Sequence, residues 1–189
     1  MTGPGKLIVF TAPSGSGKTT IVRHLLSTFP ETSFSVSATT RQRRPHEVDG
    51  KDYYFVSVET FTHWIYIEAF AEWEEVYPNQ FYGTLKAEIE RLHQEGKHVI
   101  FDVDVKGAMH IKEIYPADTL TVFVKVPSME ELERRLVTRG TDSPENLRKR
   151  LAKAEFELTF ESQFDVVLIN DVLDDTLIKA EEIVRNFLL

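Results

Sequence analysis

Residues 12 to 20 read "APSGSGKTT", shortly after the apolar run "KLIVF" and just before the helical pattern "IVRHLL". Such a stretch is built to hold a phosphate chain. Gly15 and Gly17 allow successive backbone N–H groups to turn inward around phosphate oxygens, and the helix that follows adds the positive end of its dipole. Lys18 stands where an ammonium neutralises β and γ phosphates, and Thr19 where a hydroxyl ligates Mg²⁺. Ala12, Pro13, Ser14, Gly15, Ser16, Gly17, Lys18, Thr19 and Thr20 together form the expected nucleotide-binding loop. Ala12 replaces the usual first glycine, a change compatible with a backbone at negative φ.

Asp102 ends a second apolar run, "HVIFDVD", with Asp104 two residues on. Strand alternation predicts that both carboxylates point to one side, near a metal beside the loop. Asp102 is assigned to the metal through water and Asp104 to the acceptor, an order that the residues themselves leave open.

The arginines bear on the acceptor. Arg41, Arg43 and Arg44 cluster in one segment and Arg139, Arg148 and Arg150 in another, within a chain of net charge −8. A hydroxyl acceptor would need a carboxylate base to take its proton. A phosphate monoester is already an anionic nucleophile, so the obstacle becomes repulsion between two polyanions, which arginine forks relieve. Arg134, Arg135 and Lys149 share helices with apolar stripes and read as solvated faces.

These groups must be positioned by short buried strands alternating with helices. Residues 7 to 10, 98 to 104, 120 to 126 and 165 to 170 read as strands buried on both faces, with 34 to 40 a weaker fifth. Helices are predicted over 18 to 28, 84 to 95, 105 to 115, 128 to 138, 144 to 162 and 175 to 188. Ser128 with Glu131 has capping-box spacing, Ser143 before Pro144 is an N-cap, and Thr84 stands where it would begin the 84 to 95 helix. The alternation predicts an α/β fold on a mostly parallel five-stranded sheet. Residues 36–87, rich in Arg, aromatic and acidic side chains, read as an inserted lobe with Phe61, Trp64 and Ile65 as its core, and residues 131–160 as a helical lid. The nucleotide-binding core is left with 1–35, 88–130 and 161–189.

Composition sets the outer bounds. At 189 residues with 42% hydrophobic content, the chain suits one globular domain carrying inserts. A net charge of −8 disfavours general binding to nucleic acid or to an anionic membrane. With no cysteine, no apolar run long enough to span a bilayer and no signal-like start, the expected place is the cytoplasm. The six histidines lack metal-ligand spacing and are expected at the surface.

"FSVSATTRQRRPHEVDGKDYYFVS", "FAEWEEVYPNQFYGT", "IFDVDVKGA" and "RLVTRGTDSPENLRKRL", in that order behind "APSGSGKTT" and ahead of "VLIND", resemble the guanylate kinase family over nearly the whole chain. The resemblance implies a P-loop kinase core with a GMP-binding lobe and a helical lid, and the reaction ATP + GMP ⇌ ADP + GDP with Mg²⁺. Carried over by position, Ser37, Glu72 and Thr84 would read the base, and Arg41, Arg44, Tyr53 and Tyr82 would grip the GMP phosphate. Arg139 and Arg150 would close over the transferring phosphoryl group, so that Lys18, Arg41, Arg139 and Arg150 supply the catalytic charge. Guanine presents N1–H and N2–H₂ as adjacent donors that one carboxylate, Glu72, can accept together, leaving O6 for a hydroxyl; adenine has no N1–H and would leave that carboxylate unpaired. This sequence departs from the pattern at Arg43, an additional arginine, and in "YPNQFYGT", one residue longer than usual, while Tyr54 stands beside Tyr53 as a second candidate for the same role.

Two rivals share these features. One is another small-molecule kinase on the same scaffold, disfavoured by Ser37 and Glu72; the other is a non-catalytic module that binds phosphorylated peptides, disfavoured by Lys18 and Thr19. A GTPase would need an "NKxD"-type stretch, which is absent, and 189 residues leave little room for a motor.

Overall fold

Apolar runs too short for a helix and too continuous for a one-sided sheet form the buried strands. The computed structural model describes residues 5–140 and 143–189. Strands β1 (Leu7–Thr11), β2 (Thr32–Phe34), β7 (His98–Asp102), β8 (Thr119–Lys125) and β9 (Val166–Ile169) make one sheet in the order β2-β7-β1-β8-β9. β2 runs parallel to β7, and β9 to β8. Every residue of β1 is buried, which is why "LIVFT" shows no polar alternation.

A second sheet, β4-β3-β6-β5, lies in the segment between β2 and β7 and comprises β3 (Ala38–Thr39), β4 (Tyr54–Phe55), β5 (Phe70–Tyr77) and β6 (Gln80–Leu85). The expected strand over 34 to 40 is therefore two strands. Ser35 still donates to Ile100 O at 3.0 Å, whereas Ala38 pairs with Gly83, so the chain changes sheets between them.

The helices are α1 (Lys18–Thr28), α2 (Val58–Tyr66), α3 (Lys86–Gln94), α4 (Val105–Ile114), α5 (Met129–Arg139), α6 (Pro144–Leu158) and α7 (Leu173–Leu188). The predicted helix at 84 to 95 starts later, because residues 80 to 85 pair as β6, and Thr84 is a strand residue rather than an N-cap. The helix expected to reach 162 ends at Leu158 and gives way to a 3-10 turn at Glu161–Gln163. Ser128 and Ser143 do cap α5 and α6, accepting from Glu131 N and Asn146 N, each worth about 1 kcal/mol. The Glu131 carboxylate does not complete a capping box; it pairs with Arg134 and Arg135.

The chain divides into two compact units. One holds Met1–Leu7, Glu31–Phe101 and Lys106–Thr119; the other holds Ile8–Pro30, Asp102–Val105 and Leu120–Leu189. In the first, Phe61 of α2 is fully buried and stacks on Phe70 and Phe81 at 4.3 and 5.3 Å, with Trp64 and Ile65 packed alongside. In the second, Leu132 and Leu136 of α5 pack with Leu147, Leu151 and Ala154 of α6, joining the two helices of the predicted lid. No helix among the described residues is long and apolar enough to cross a membrane.

Candidate functional site

In the second unit, the glycine loop folds as its sequence dictates. Gly15 and Gly17 adopt φ of 98° and 88°, left-handed values open to glycine, and Gly17 is the N-cap of α1. A Cβ on Gly17 would lie 2.3 Å from Asn170 Nδ2, so a larger residue would also have to displace that amide. That buried amide donates to Ser16 O at 2.8 Å and fixes the loop from beneath.

The loop lines a cleft of about 640 Å³, large enough for a nucleotide, with Ala12 through Thr20 on one side. Asp102, Asp104 and Arg150 also line it. Lys18 Nζ pairs with Asp102 Oδ1 and lies 3.5 Å from Val103 O. Arg150, on α6, donates through Nη1 to Ser14 Oγ at 2.9 Å, bringing an arginine of α6 onto the glycine loop. The strand ends at Asp102, so alternation does not govern Asp104, although both residues face the same cleft. Arg139 ends α5, but its side chain lies outside the described residues.

Thr19 and Asp102 supply a hydroxyl and a carboxylate, hard oxygen donors that suit Mg²⁺ when nucleotide phosphates complete its shell. Arg135, Lys153 and Glu157 line the same cleft, although sequence reasoning set Arg135 on a solvated face. Arg135 Nη2 instead donates to Asn170 O at 3.0 Å. Helical periodicity places Arg135 on a helix but is silent about the loop it meets.

The first unit holds the residues expected to read the acceptor. Glu72 of β5 pairs with Thr84 of β6, and Thr84 Oγ1 donates to Glu72 Oε1 at 2.6 Å with both side chains buried. Ala38 pairs with Gly83 and Thr39 with Tyr82, a register that carries Ser37 toward Thr84. Ser37 just ahead of β3, Thr84 on β6 and Glu72 on β5 thus follow one another across the sheet. The register shifts between Phe70 and Glu72, so the ring of Phe70 enters the lobe core while the Glu72 carboxylate meets Thr84. A second shift lies between Glu75 and Tyr77, and Tyr82 stands opposite Glu74.

Gly83, between Tyr82 and Thr84, was missed. A Cβ there would stand 2.8 Å from both Glu72 O and Trp73 Cβ, so only glycine lets β5 approach β6 this closely. A glycine inside an aromatic strand pattern was the available signal.

Arg41 lies over the Tyr53 ring at 5.1 Å, and the Tyr53 and Tyr82 rings meet edge-on at 5.9 Å. Tyr53 therefore belongs to this cluster, whereas Tyr54 turns its hydroxyl to Glu88. Arg41 forks onto Glu47 with bonds of 2.8 and 2.7 Å, and Arg44 N donates to the same carboxylate at 2.8 Å. The Arg41 hydrogen bonds hold the Glu47 pKa down at about 2, burial opposing and the Arg44 amide assisting. The same pairing raises the pKa of Arg41 further, so its charge is permanent. The Arg44 side chain is exposed. His24, His93 and His98, expected at the surface, are half-buried; His24 lies 2.6 Å from Glu181, and His98 Nδ1 accepts from Lys6 N.

The whole pattern has a precedent, since the guanylate kinase family model matches residues 4–187. The chain belongs to the guanylate kinase family. A guanylate kinase of Bacteroides fragilis is 46% identical over 187 residues, covering 99% of this chain and 92% of its own. One from Salinibacter ruber is 47% identical over 182 residues, 96% of each. The crystal structure of guanylate kinase from Anaplasma phagocytophilum, 31% identical, superposes with a TM-score of 0.74 over 97% of this chain and 86% of its own. The fold is accordingly the α/β P-loop kinase fold of guanylate kinases.

Proposed function

We propose that the chain is a guanylate kinase that transfers the γ-phosphoryl group of ATP reversibly to GMP, giving ADP and GDP. The observation that carries this reading is the buried Glu72–Thr84 pair, a carboxylate already oriented by a hydroxyl and therefore shaped for a base with two adjacent donors. Residues 36–87 form the GMP-binding lobe and residues 131–160 the lid in this reading.

On the donor side, backbone N–H groups of the loop and the N-terminus of α1 hold the phosphates, with Lys18 moving from Asp102 to the β and γ oxygens. Thr19 would hold Mg²⁺ directly and Asp102 through water, and the metal would neutralise developing charge on the phosphates. Arg150 and Arg139 supply further positive charge over the transferring group. On the acceptor side, Ser37 donates to guanine O6, Glu72 accepts from N1–H and N2–H₂, and Arg41, Arg44, Tyr53 and Tyr82 bind the monophosphate. Asp104 orients the acceptor. GMP brings its own anionic nucleophile, so no side chain must remove a proton from a hydroxyl.

A coupled assay offering ATP and Mg²⁺ with GMP, AMP, UMP and dTMP in turn tests the reading. Turnover with GMP at least a hundredfold above the others is expected. Equal turnover of AMP would contradict it.

A further inference from the structure

Glu88 is a carboxylate to which the transfer reaction gives no task, yet it is only 3% exposed. A buried charge of this kind persists only when its lone pairs are satisfied. Its oxygens receive Arg91 Nε and Nη2, both at 2.9 Å, the Tyr54 hydroxyl at 3.0 Å, and a longer contact from Val36 N at 3.4 Å. Two of these donors flank Ser37. Val36 precedes it in the chain, and Tyr54 N donates to Ser37 O at 2.9 Å as part of the β3–β4 pairing. Glu88 lies in the first turn of α3, the helix that begins two residues after Thr84.

We propose that Glu88 is a positioning residue for guanine recognition: clamped by Arg91, it ties the Val36–Ser37 backbone and Tyr54 to the helix behind Thr84, fixing the separation of the Ser37 and Thr84 hydroxyls. The inference rests on the reading of Ser37, Glu72 and Thr84 as base-reading residues. The carboxylate is needed for its two acceptor oxygens. Glutamine of equal size would turn an NH₂ donor toward the guanidinium or toward Tyr54, releasing one arm of the clamp.

The test is steady-state kinetics of the full chain with GMP varied at saturating ATP and the reverse, for Glu88→Gln, Tyr54→Phe, Ser37→Ala and the double variant Glu88→Gln/Ser37→Ala, with thermal melts of each. Glu88→Gln is expected to raise KM for GMP about tenfold and Tyr54→Phe about threefold, with KM for ATP and kcat within about twofold. Ser37→Ala should raise KM for GMP less in the Glu88→Gln background than alone, because the hydroxyl it removes is already misplaced. A lowered melting temperature with unchanged KM for GMP, or strictly additive effects, would assign Glu88 to stability alone and overturn the inference. If Glu88→Gln fails to fold, Tyr54→Phe, which keeps the ring, decides by the same KM criterion. Absence of GMP turnover by the unsubstituted chain would instead remove the functional reading, and this inference with it.

Discussion

The Thr84 hydroxyl donates to Glu72 Oε1 at 2.6 Å across the β5–β6 pair, and both residues are buried. The proton of Thr84 is thereby committed to the carboxylate, which in the proposed reading leaves Ser37 as the hydroxyl to donate to guanine O6. Glu72→Gln places a donor where the base also donates, and KM for GMP is expected to rise by at least a hundredfold. Thr84→Val removes one of the bonds that orient the carboxylate and is expected to raise it about tenfold. Initial rates over a GMP titration at saturating ATP check both, and a Glu72→Gln enzyme with ordinary KM would remove Glu72 from the base site.

Lys18 and Arg150 reach the phosphate loop from different elements, one from α1 and one from α6 through Ser14. In the proposed reading their charge acts where negative charge develops, so truncation should lower kcat more than substrate affinity. Lys18→Ala is expected to reduce kcat by at least about 10³-fold and Arg150→Ala by about 10²-fold or more. Single-turnover rates at saturating GMP separate this loss from weakened binding.

Gly83 is hemmed in by backbone and by a Cβ, neither of which can move aside as a flexible side-chain end can. Gly83→Ala should therefore push β5 from β6, lower the melting temperature by about 5 °C or more, and raise KM for GMP by separating Glu72 from Thr84. Calorimetry alongside GMP kinetics is the check; a variant with native melting and native KM would show that the strands part without consequence.

Glu47 titrates at about 2 in the folded chain against a usual value near 4.5. A depressed carboxyl pKa contributes stability that is complete above about 4.5 and disappears as pH falls toward 2. Glu47→Gln should accordingly lower the melting temperature at pH 6 and converge on the unsubstituted chain as pH approaches 2. A pH series of melts on both proteins measures the convergence, and a gap that persists at the lowest pH would assign the effect to packing.

The phosphate loop was legible because its chemistry is local. Nine consecutive residues contain the glycines, the lysine and the hydroxyl, and the preceding strand and following helix are recognisable from apolar pattern alone. The α5 and α6 starts were legible for the same reason, since Ser128 and Ser143 cap amides three residues away. Arg135 was not read as part of the cleft, because its contact with Asn170 joins residues 35 apart and no periodicity records it.

The segment from β3 to β6 shows the division most clearly. Resemblance in the sequence picked out Ser37, Glu72 and Thr84 as a set, but the spacing around Thr84 favoured a helix start, and strand alternation would have put Phe70 and Glu72 on one face. Tertiary structure decided otherwise: pairing with β5 keeps Thr84 in a strand, and the register shift at Ala71 lets the Phe70 ring join the aromatic core while the Glu72 carboxylate, two residues on, meets Thr84. The sequence by itself determined which functional groups are available and in what order. Which oxygen faces which hydroxyl was decided by strand register, a property of pairs of segments, because the backbone hydrogen bonds that set it are made only when distant parts of the chain meet.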